Sequence, residues 1–341
     1  MNRIHIRAGD LRFTFLNTGD LFEAGCGNIR INQLLGNVLD GSLNNLYLRI
    51  YRQDQRIVVP LLGVKSKSTV KYSKSNLEWK GRVLDLDYSV TFTLTDQGIW
   101  FWDVIVEGAG AEVEVIYGQD ISIANRGAVQ SNEAYVSQYI DHAVFYDEEL
   151  GYVVCSRQNQ PQETGFPYLQ QGCLTKAVGY STDGFQFFGL DYKDSFEPQA
   201  LKEDCLANEV YQYEFAYTAL QSERVLLQDE ARFVFYGMFR PNHPQAVANW
   251  NMTQRWNRLG RPFRIKKLPF RIFLKIMCLF GRLNHYVPFP SLKKNWNTIF
   301  PIASMKSGQT VNCCRFLRQT MPIYDDEFDK KAEEAATVAE T

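Results

Sequence analysis

The segment from Leu84 to Thr95 alternates strictly between apolar and polar residues. Leu84, Leu86, Tyr88, Val90, Phe92 and Leu94 fall on one side, and Asp85, Asp87, Ser89, Thr91, Thr93 and Thr95 on the other. A period of two is the signature of a strand with one buried face. Asp96-Gln97-Gly98 supplies a turn. Ile99 to Glu107 then returns with Trp100, Trp102, Val104 and Val106 on one face. Core packing, rather than stacking on a sugar ring, is expected of the two indoles. Gly108-Ala109-Gly110 ends that strand, and Val113 to Tyr117 begins another. Further strands are expected at Arg12–Leu16, Leu46–Tyr51, Arg56–Leu61, Ala143–Tyr146, Tyr152–Ser156, Phe185–Gly189, Tyr213–Ala219 and Phe233–Tyr236. Helical periodicity is scarce before Pro244. Many strands with turn signals between them imply a mainly β chain: a large antiparallel β-sandwich, or supersandwich, followed by an irregular or partly helical basic tail. The expected division is a sandwich over residues 1–247 and a tail over 248–341.

At 341 residues the chain can bury one large core or two smaller ones. Aromatic residues make up 14%, with 23 Phe and 18 Tyr, which suits strands and sugar-facing surfaces. A net charge of -1 points to no partner by bulk electrostatics, and no nucleic-acid partner is expected. The cysteines (Cys26, Cys155, Cys173, Cys205, Cys278, Cys313 and Cys314) form no CxxC pair, and there are only four His. No metal site is expected, and free thiols in a reducing cytosol fit better than disulfides. The N-terminus lacks the apolar core of a signal peptide. No run reaches the ~18 apolar residues of a membrane span. A cytoplasmic location without membrane partners is expected.

Chemistry-bearing side chains concentrate between Tyr117 and His142, YGQDISIANRGAVQSNEAYVSQYIDH. The candidate substrate-binding residues are Gln119, Asp120, Asn132, Glu133, Tyr135, Gln138, Tyr139, Asp141 and His142. Planar amides and carboxylates bind sugar hydroxyls bidentately, with aromatic faces beside them. The competing reading is an internal network that locks a long loop onto the sandwich. Asn28–Arg52 is also amide-rich, with Asn32, Gln33, Asn37, Asp40, Asn44 and Asn45. Such amides build loops or meet a polar ligand, and loop building is the expectation. Neither GxSxG nor a phosphate-cradling glycine loop occurs. Glu133 and Asp141 are not read as a glycosidase acid pair. No catalytic residue is assigned.

The segments INQLLGNVLDGSLNNLYLRIY and GQDISIANRGAVQSNEAYVSQYIDH resemble the N-terminal domain of glycoside hydrolase family 94, in particular its 1,2-β-oligoglucan phosphorylase branch. The resemblance runs from about Phe13 to Val247. It implies an N-terminal β-sandwich, a helical linker, an (α/α)6 catalytic barrel and a small C-terminal β domain. The implied chemistry is inverting phosphorolysis, with inorganic phosphate as co-substrate, no other cofactor, and an Asp general acid on the barrel. It also implies a homodimer and a β-glucan oligosaccharide as partner. On this reading the chain is the truncated, substrate-cleft and dimer-supporting domain of a phosphorylase acting on β-1,2-glucooligosaccharides, inactive without the barrel. The alternatives are a free-standing carbohydrate-binding module and a membrane-surface protein that uses the basic tail. A domain built to dock a barrel is expected to expose apolar surface and to self-associate when alone.

From Ala231 to Tyr324 there is no Asp or Glu, and Arg255–Arg282 mixes basic and apolar residues without a firm period. A nucleic-acid tail, a lipid-surface segment and a frameshifted translation compete. In the frame that joins each third base to the next two, Lys and Arg codons can supply Glu and Gln. Asn249–Phe263 then reads as an acidic amphipathic helix. Phe300–Tyr324 reads as a linker, and one slip near Val247 or Ala248 serves both. Frameshift is the expectation carried forward. Scattered helix around Phe270–Phe280 and a short helix or disordered end over Asp325–Thr341 complete it.

Overall fold

A computed structural model describes residues 3–53, 55–73 and 76–248. Expectations for the tail, including the frameshift, the helix around Phe270–Phe280 and the end at Asp325–Thr341, lie outside the described residues. The strands in chain order are β1 (Arg3–Ala8), β2 (Leu11–Leu16), β3 (Leu21–Cys26), β4 (Ile29–Arg30), β5 (Asn45–Arg52), β6 (Gln55–Pro60), β7 (Thr69–Tyr72), β8 (Asn76–Val83), β9 (Leu86–Leu94), β10 (Ile99–Glu107), β11 (Ala111–Asp120) and β12 (Ala124–Asn125). Two short helices follow, α1 (Arg126–Ser131) and α2 (Glu133–Ser137). Next come β13 (Ile140–Asp147), β14 (Gly151–Gln158), β15 (Tyr168–Cys173) and β16 (Ala177–Asp183). Helices α3 (Gly184–Phe188) and α4 (Tyr192–Ser195) and a 3-10 turn at Gln199–Lys202 precede β17 (Ala216–Ser222), β18 (Val225–Leu227) and β19 (Glu230–Arg240).

These strands make two sheets. The smaller runs β1-β2-β3-β4-β12. The larger runs β6-β5-β11-β17-β16-β14-β15-β19-β10-β9-β8-β7, with β13 beside β14 and β18 beside β11. Pairing is antiparallel except for a single parallel contact, Gly151 with Ala177. The mainly β class is therefore as the alternation implied.

Packing of the two sheets follows from the same alternation. Leu86, Tyr88, Val90 and Phe92 of β9 and Trp100, Trp102, Val104 and Val106 of β10 are all buried in one core. Phe13 and Phe15 of β2 enter that core from the smaller sheet. Phe13 lies 4.8 Å from Phe92 and 4.9 Å from Trp100, and Phe15 lies 5.7 Å from Trp79. Each such aromatic pair adds about 0.5–1.5 kcal/mol beyond its area burial. A second apolar cluster covers the opposite face of β5, β11 and β17, where Phe187, Phe188, Leu201 and Leu206 pack on Tyr47, Ile116 and Tyr217. Strand β11 is buried on both faces for this reason.

Three expected strands are corrected. Phe185–Gly189 is not a strand but falls in α3. Asp183 caps that helix by accepting from Gln186 N at 2.9 Å, and Gly189, with φ 79, closes it. The helix buries Phe187 and Phe188 together, which a strand cannot do on one face. The strand expected from Tyr213 begins at Ala216. The carbonyls of Tyr213 and Glu214 instead accept from Ser137 Oγ at 3.2 Å and Gln33 Nε2 at 2.8 Å. Leu84 does not continue β9: with φ 54 it sits exposed in the turn after β8.

Candidate functional site

The polar run crosses from the interior to the surface. Gln119, near the end of β11, faces the core and is fully buried. Its Oε1 accepts from Tyr117 and, at 3.2 Å, from Gln171 Nε2. Asp120 is buried too. Its Oδ2 accepts from the backbone of Gln33 at 2.8 Å and Leu34 at 2.7 Å. Burial pushes its carboxyl up to about 6, although the two N–H donors and Arg30 pull the other way. His142, on β13, is buried against Ser156 Oγ at 2.9 Å, and burial lowers its imidazole to about 4. Gln119, Asp120 and His142 therefore lie in the interior, hydrogen-bonded to neighbouring groups of the unit.

The remaining candidates lie on or beside α2. Asn132 caps that helix, its Oδ1 accepting from Tyr135 N at 2.9 Å. Glu133 is exposed in the first turn, and its carbonyl accepts from Gln33 Nε2 at 3.1 Å. Tyr139 donates its hydroxyl to that of Tyr135 at 3.0 Å, with ring centroids 5.1 Å apart. Gln138 donates to Glu214 Oε1 at 3.0 Å, and its carbonyl accepts from Gln212 Nε2 at 2.7 Å. Asp141 is half-buried on β13, opposite Arg157.

An open cleft of about 580 Å³ lies there, lined by Gln138, Phe185, Gln212, Tyr213 and Glu214. Of the candidates, Gln138 alone lines it. Tyr213, 58% exposed, and Phe185 give it apolar faces. Tyr211 stacks on Tyr213 at 6.4 Å and 16°. Glu214, Gln138 and Gln212 bring carboxylate and amide groups beside those rings. The amides of the 28–52 segment are engaged differently. Asn32 accepts from Ala24 N at 2.8 Å, Asn37 from Leu39 N and Asp40 N at 2.8 Å, and Asn45 from Leu46 N at 2.8 Å. They build loops, while Gln33 ties α2 to the approach to β17.

Phe185, Gln212, Tyr213 and Glu214 escape the sequence reading because three of them, Phe185, Tyr213 and Glu214, fall in expected strands. The string Tyr211-Gln212-Tyr213-Glu214-Phe215 carries the same mixture of amide, acid and aromatic that marks the 117–142 run, and that was the available signal. Among the described residues, no group of three or more His, Cys, Asp or Glu side chains could hold a metal ion. No helix among them is long and apolar enough to cross a membrane.

The arrangement combines stacking surfaces with bidentate hydrogen-bonding groups on an open face. A 1,2-beta-oligoglucan phosphorylase from Listeria innocua serovar 6a is 40% identical over 241 residues, covering 71% of this chain and 22% of that protein. The chain thus spans about a fifth of the length of this curated relative. Among solved structures, a polysaccharide lyase aligns with a TM-score of 0.41 and 8% identity, over 70% of this chain and 34% of the other. A galactose 1-epimerase from Lactobacillus acidophilus NCFM aligns with 0.39 and 9%, over 71% and 95%. The model of the SOGP N-terminal domain matches residues 14–237, so the chain belongs to the SOGP N-terminal domain family.

Proposed function

We propose that the described unit is the carbohydrate-facing, supporting domain of an oligoglucan phosphorylase-type protein, and that its cleft receives a β-1,2-linked glucooligosaccharide. The carrying observation is the Tyr213 ring beside the Gln138–Glu214 pair, in a domain 40% identical to part of an oligoglucan phosphorylase. A sugar ring laid on Tyr213 would present its C–H face to the aromatic and its hydroxyls to Gln138, Gln212 and Glu214. The described residues are proposed to bind and orient glucan. Bond cleavage by inorganic phosphate is proposed to belong to a barrel domain, and homodimer support is part of the same proposal.

Isothermal titration of the full chain with β-1,2-glucooligosaccharides tests this. Saturable binding is expected, weakened about tenfold by Tyr213→Ala, the equivalent of ~1.4 kcal/mol. Absence of binding at about 10 mM sugar, or binding untouched by both Tyr213→Ala and Glu214→Ala, would overturn the assignment.

A further inference from the structure

The outer face of the smaller sheet takes no part in the cleft, and its charge is unbalanced. Register places Arg7 of β1 opposite Arg12 of β2, Arg12 opposite Gly25 of β3, and Gly25 opposite Arg30 of β4. Gly25 leaves its place in that row open to Arg126: a Cβ there would lie 2.7 Å from Arg126 Nη2. Four guanidinium groups therefore share one cross-strand row. With strands about 4.8 Å apart, the row is roughly 14 Å long. The neighbouring row holds His5 bonded to Thr14 at 3.1 Å, with Glu23 opposite Thr14.

Glu23 is the carboxylate that meets the row. It stands 3.4 Å from Arg12 Nη2, 3.4 Å from Arg30 Nε, and is paired with Arg126. Other acids lie further out. Asp120 acts on Arg30 from a distance, Asp10 sits in the β1–β2 turn, and Glu163 accepts from Asn28 Nδ2 at 3.0 Å. One carboxylate against four guanidiniums leaves the row strongly positive in a chain whose net charge is -1.

Like charges directly opposite each other weaken a sheet, so Arg7 facing Arg12 is costly unless an anion lies between them. Arg7 is exposed and makes no ion pair with the described residues. Arg30 is 4% exposed, and its Nε, although 3.4 Å from Glu23, makes no hydrogen bond. Glu23 meanwhile orients three of the four guanidiniums, so the donors are held in place before any ligand arrives. We propose that this row is an oxyanion site for a phosphate group, either inorganic or carried as a monoester, gripped between Arg7 and Arg12 with Arg126 and Arg30 behind. The planar fork of arginine matches a phosphate's oxygens, which a point-charge lysine does not. A nucleic acid fits less well, because a single short row offers no track for successive phosphates.

The test uses the full-length chain at low ionic strength, titrated calorimetrically with inorganic phosphate and, separately, with methyl phosphate. Saturable binding with a Kd of about 1 mM or tighter is expected for at least one of them, and the tighter of the two names the source. Arg7→Ala, at an exposed position outside the ion-pair network, should weaken phosphate about tenfold, abolish the rise in Tm that phosphate gives, and leave glucooligosaccharide titrations unchanged. Arg12→Lys should weaken it comparably, because charge is kept and the fork is lost. No saturation by about 10 mM phosphate, or wild-type affinity in Arg7→Ala, would overturn the site. So would a short duplex oligonucleotide that binds far more tightly than phosphate and depends on Arg7.

Discussion

Asp120 and His142 stand near opposite ends of the polar run, both buried, and burial acts on them in opposite senses. Asp120 is raised from 3.8 to about 6. Between those values the folded chain holds a proton that the unfolded chain has released, so this residue's contribution to stability falls as pH rises through the window. His142 is lowered from 6.5 to about 4. There the unfolded chain takes up a proton that the folded chain excludes, so its contribution falls as pH drops. Each shift is on the order of 2–3 kcal/mol, and between pH 4 and 6 the two nearly cancel. Single substitutions should unmask them. Asp120→Asn keeps acceptors for Gln33 N and Leu34 N, and its Tm relative to wild type should drop as pH falls from 6 to 4. His142→Gln should show the reverse. Asp20 and Asp183, also raised by burial, are common to all three proteins and cancel in the difference profile. Flat difference profiles would refute the assignment.

At the level of elements, a buried ion pair fastens the 200–206 loop to the larger sheet. Arg49 of β5 donates to Glu114 of β11 at 3.1 Å, to Asp204 O at 3.1 Å and to Ala200 O at 2.8 Å. Tyr51 and Gln221 also donate to Glu114, at 2.7 Å and 3.1 Å, and the partly exposed Arg224 stands 3.9 Å from it. Both charged side chains are almost wholly shielded from solvent. Removing Arg49 leaves the buried carboxylate facing only the more distant Arg224, at a cost of up to about 3–5 kcal/mol. Arg49→Met should therefore lower the denaturant midpoint sharply, and adding Glu114→Gln should restore part of the loss. Strictly additive effects in that double-mutant cycle would rule out coupling. None of this was legible beforehand, because Arg49 and Glu114 are 65 residues apart and each sits in an alternating segment as an ordinary polar position. What was legible was periodic: β9 and β10 show their buried faces in the spacing of Leu86–Phe92 and Trp100–Val106. Phe185–Gly189 misled because an aromatic triplet satisfies a strand pattern until the Asp183 cap and the Gly189 terminus are recognised as helix signals. The cleft was half visible. Its α2 side was in the polar run, but its Gln212–Glu214 side arrives through side chains of Gln33 and Ser137, whose partners no local pattern reveals.

Over the described unit as a whole, apolar side chains gather outside the core on three loops. Leu39 is 86% exposed, Leu190 91% and Phe196 51%; Leu34, Leu35 and Val38, close to Leu39 in sequence, and Val64 are exposed too. The loops are joined rather than scattered. Lys193 pairs with Asp40 at 3.5 Å, and Lys65 donates to Tyr192 at 2.9 Å while lying 4.9 Å from the centre of the Phe196 ring. The Asp40–Lys193 bridge brings the Leu39 turn close to α4, so these exposed apolar side chains lie on neighbouring loops. Exposed apolar surface of this kind favours association in water. The wild-type chain should therefore show a mass in sedimentation equilibrium that rises with concentration. Leu39→Asp combined with Leu190→Glu should shift it toward monomer while leaving Tm within about 1 °C, because neither side chain contributes to a buried cluster. The sugar cleft and the arginine row lie on other elements, so glucan and phosphate titrations should be unaffected. A wild-type protein that stays monomeric across the concentration range would show that the polar rim of Asp40, Lys65 and Lys193 hydrates this surface well enough to keep it apart.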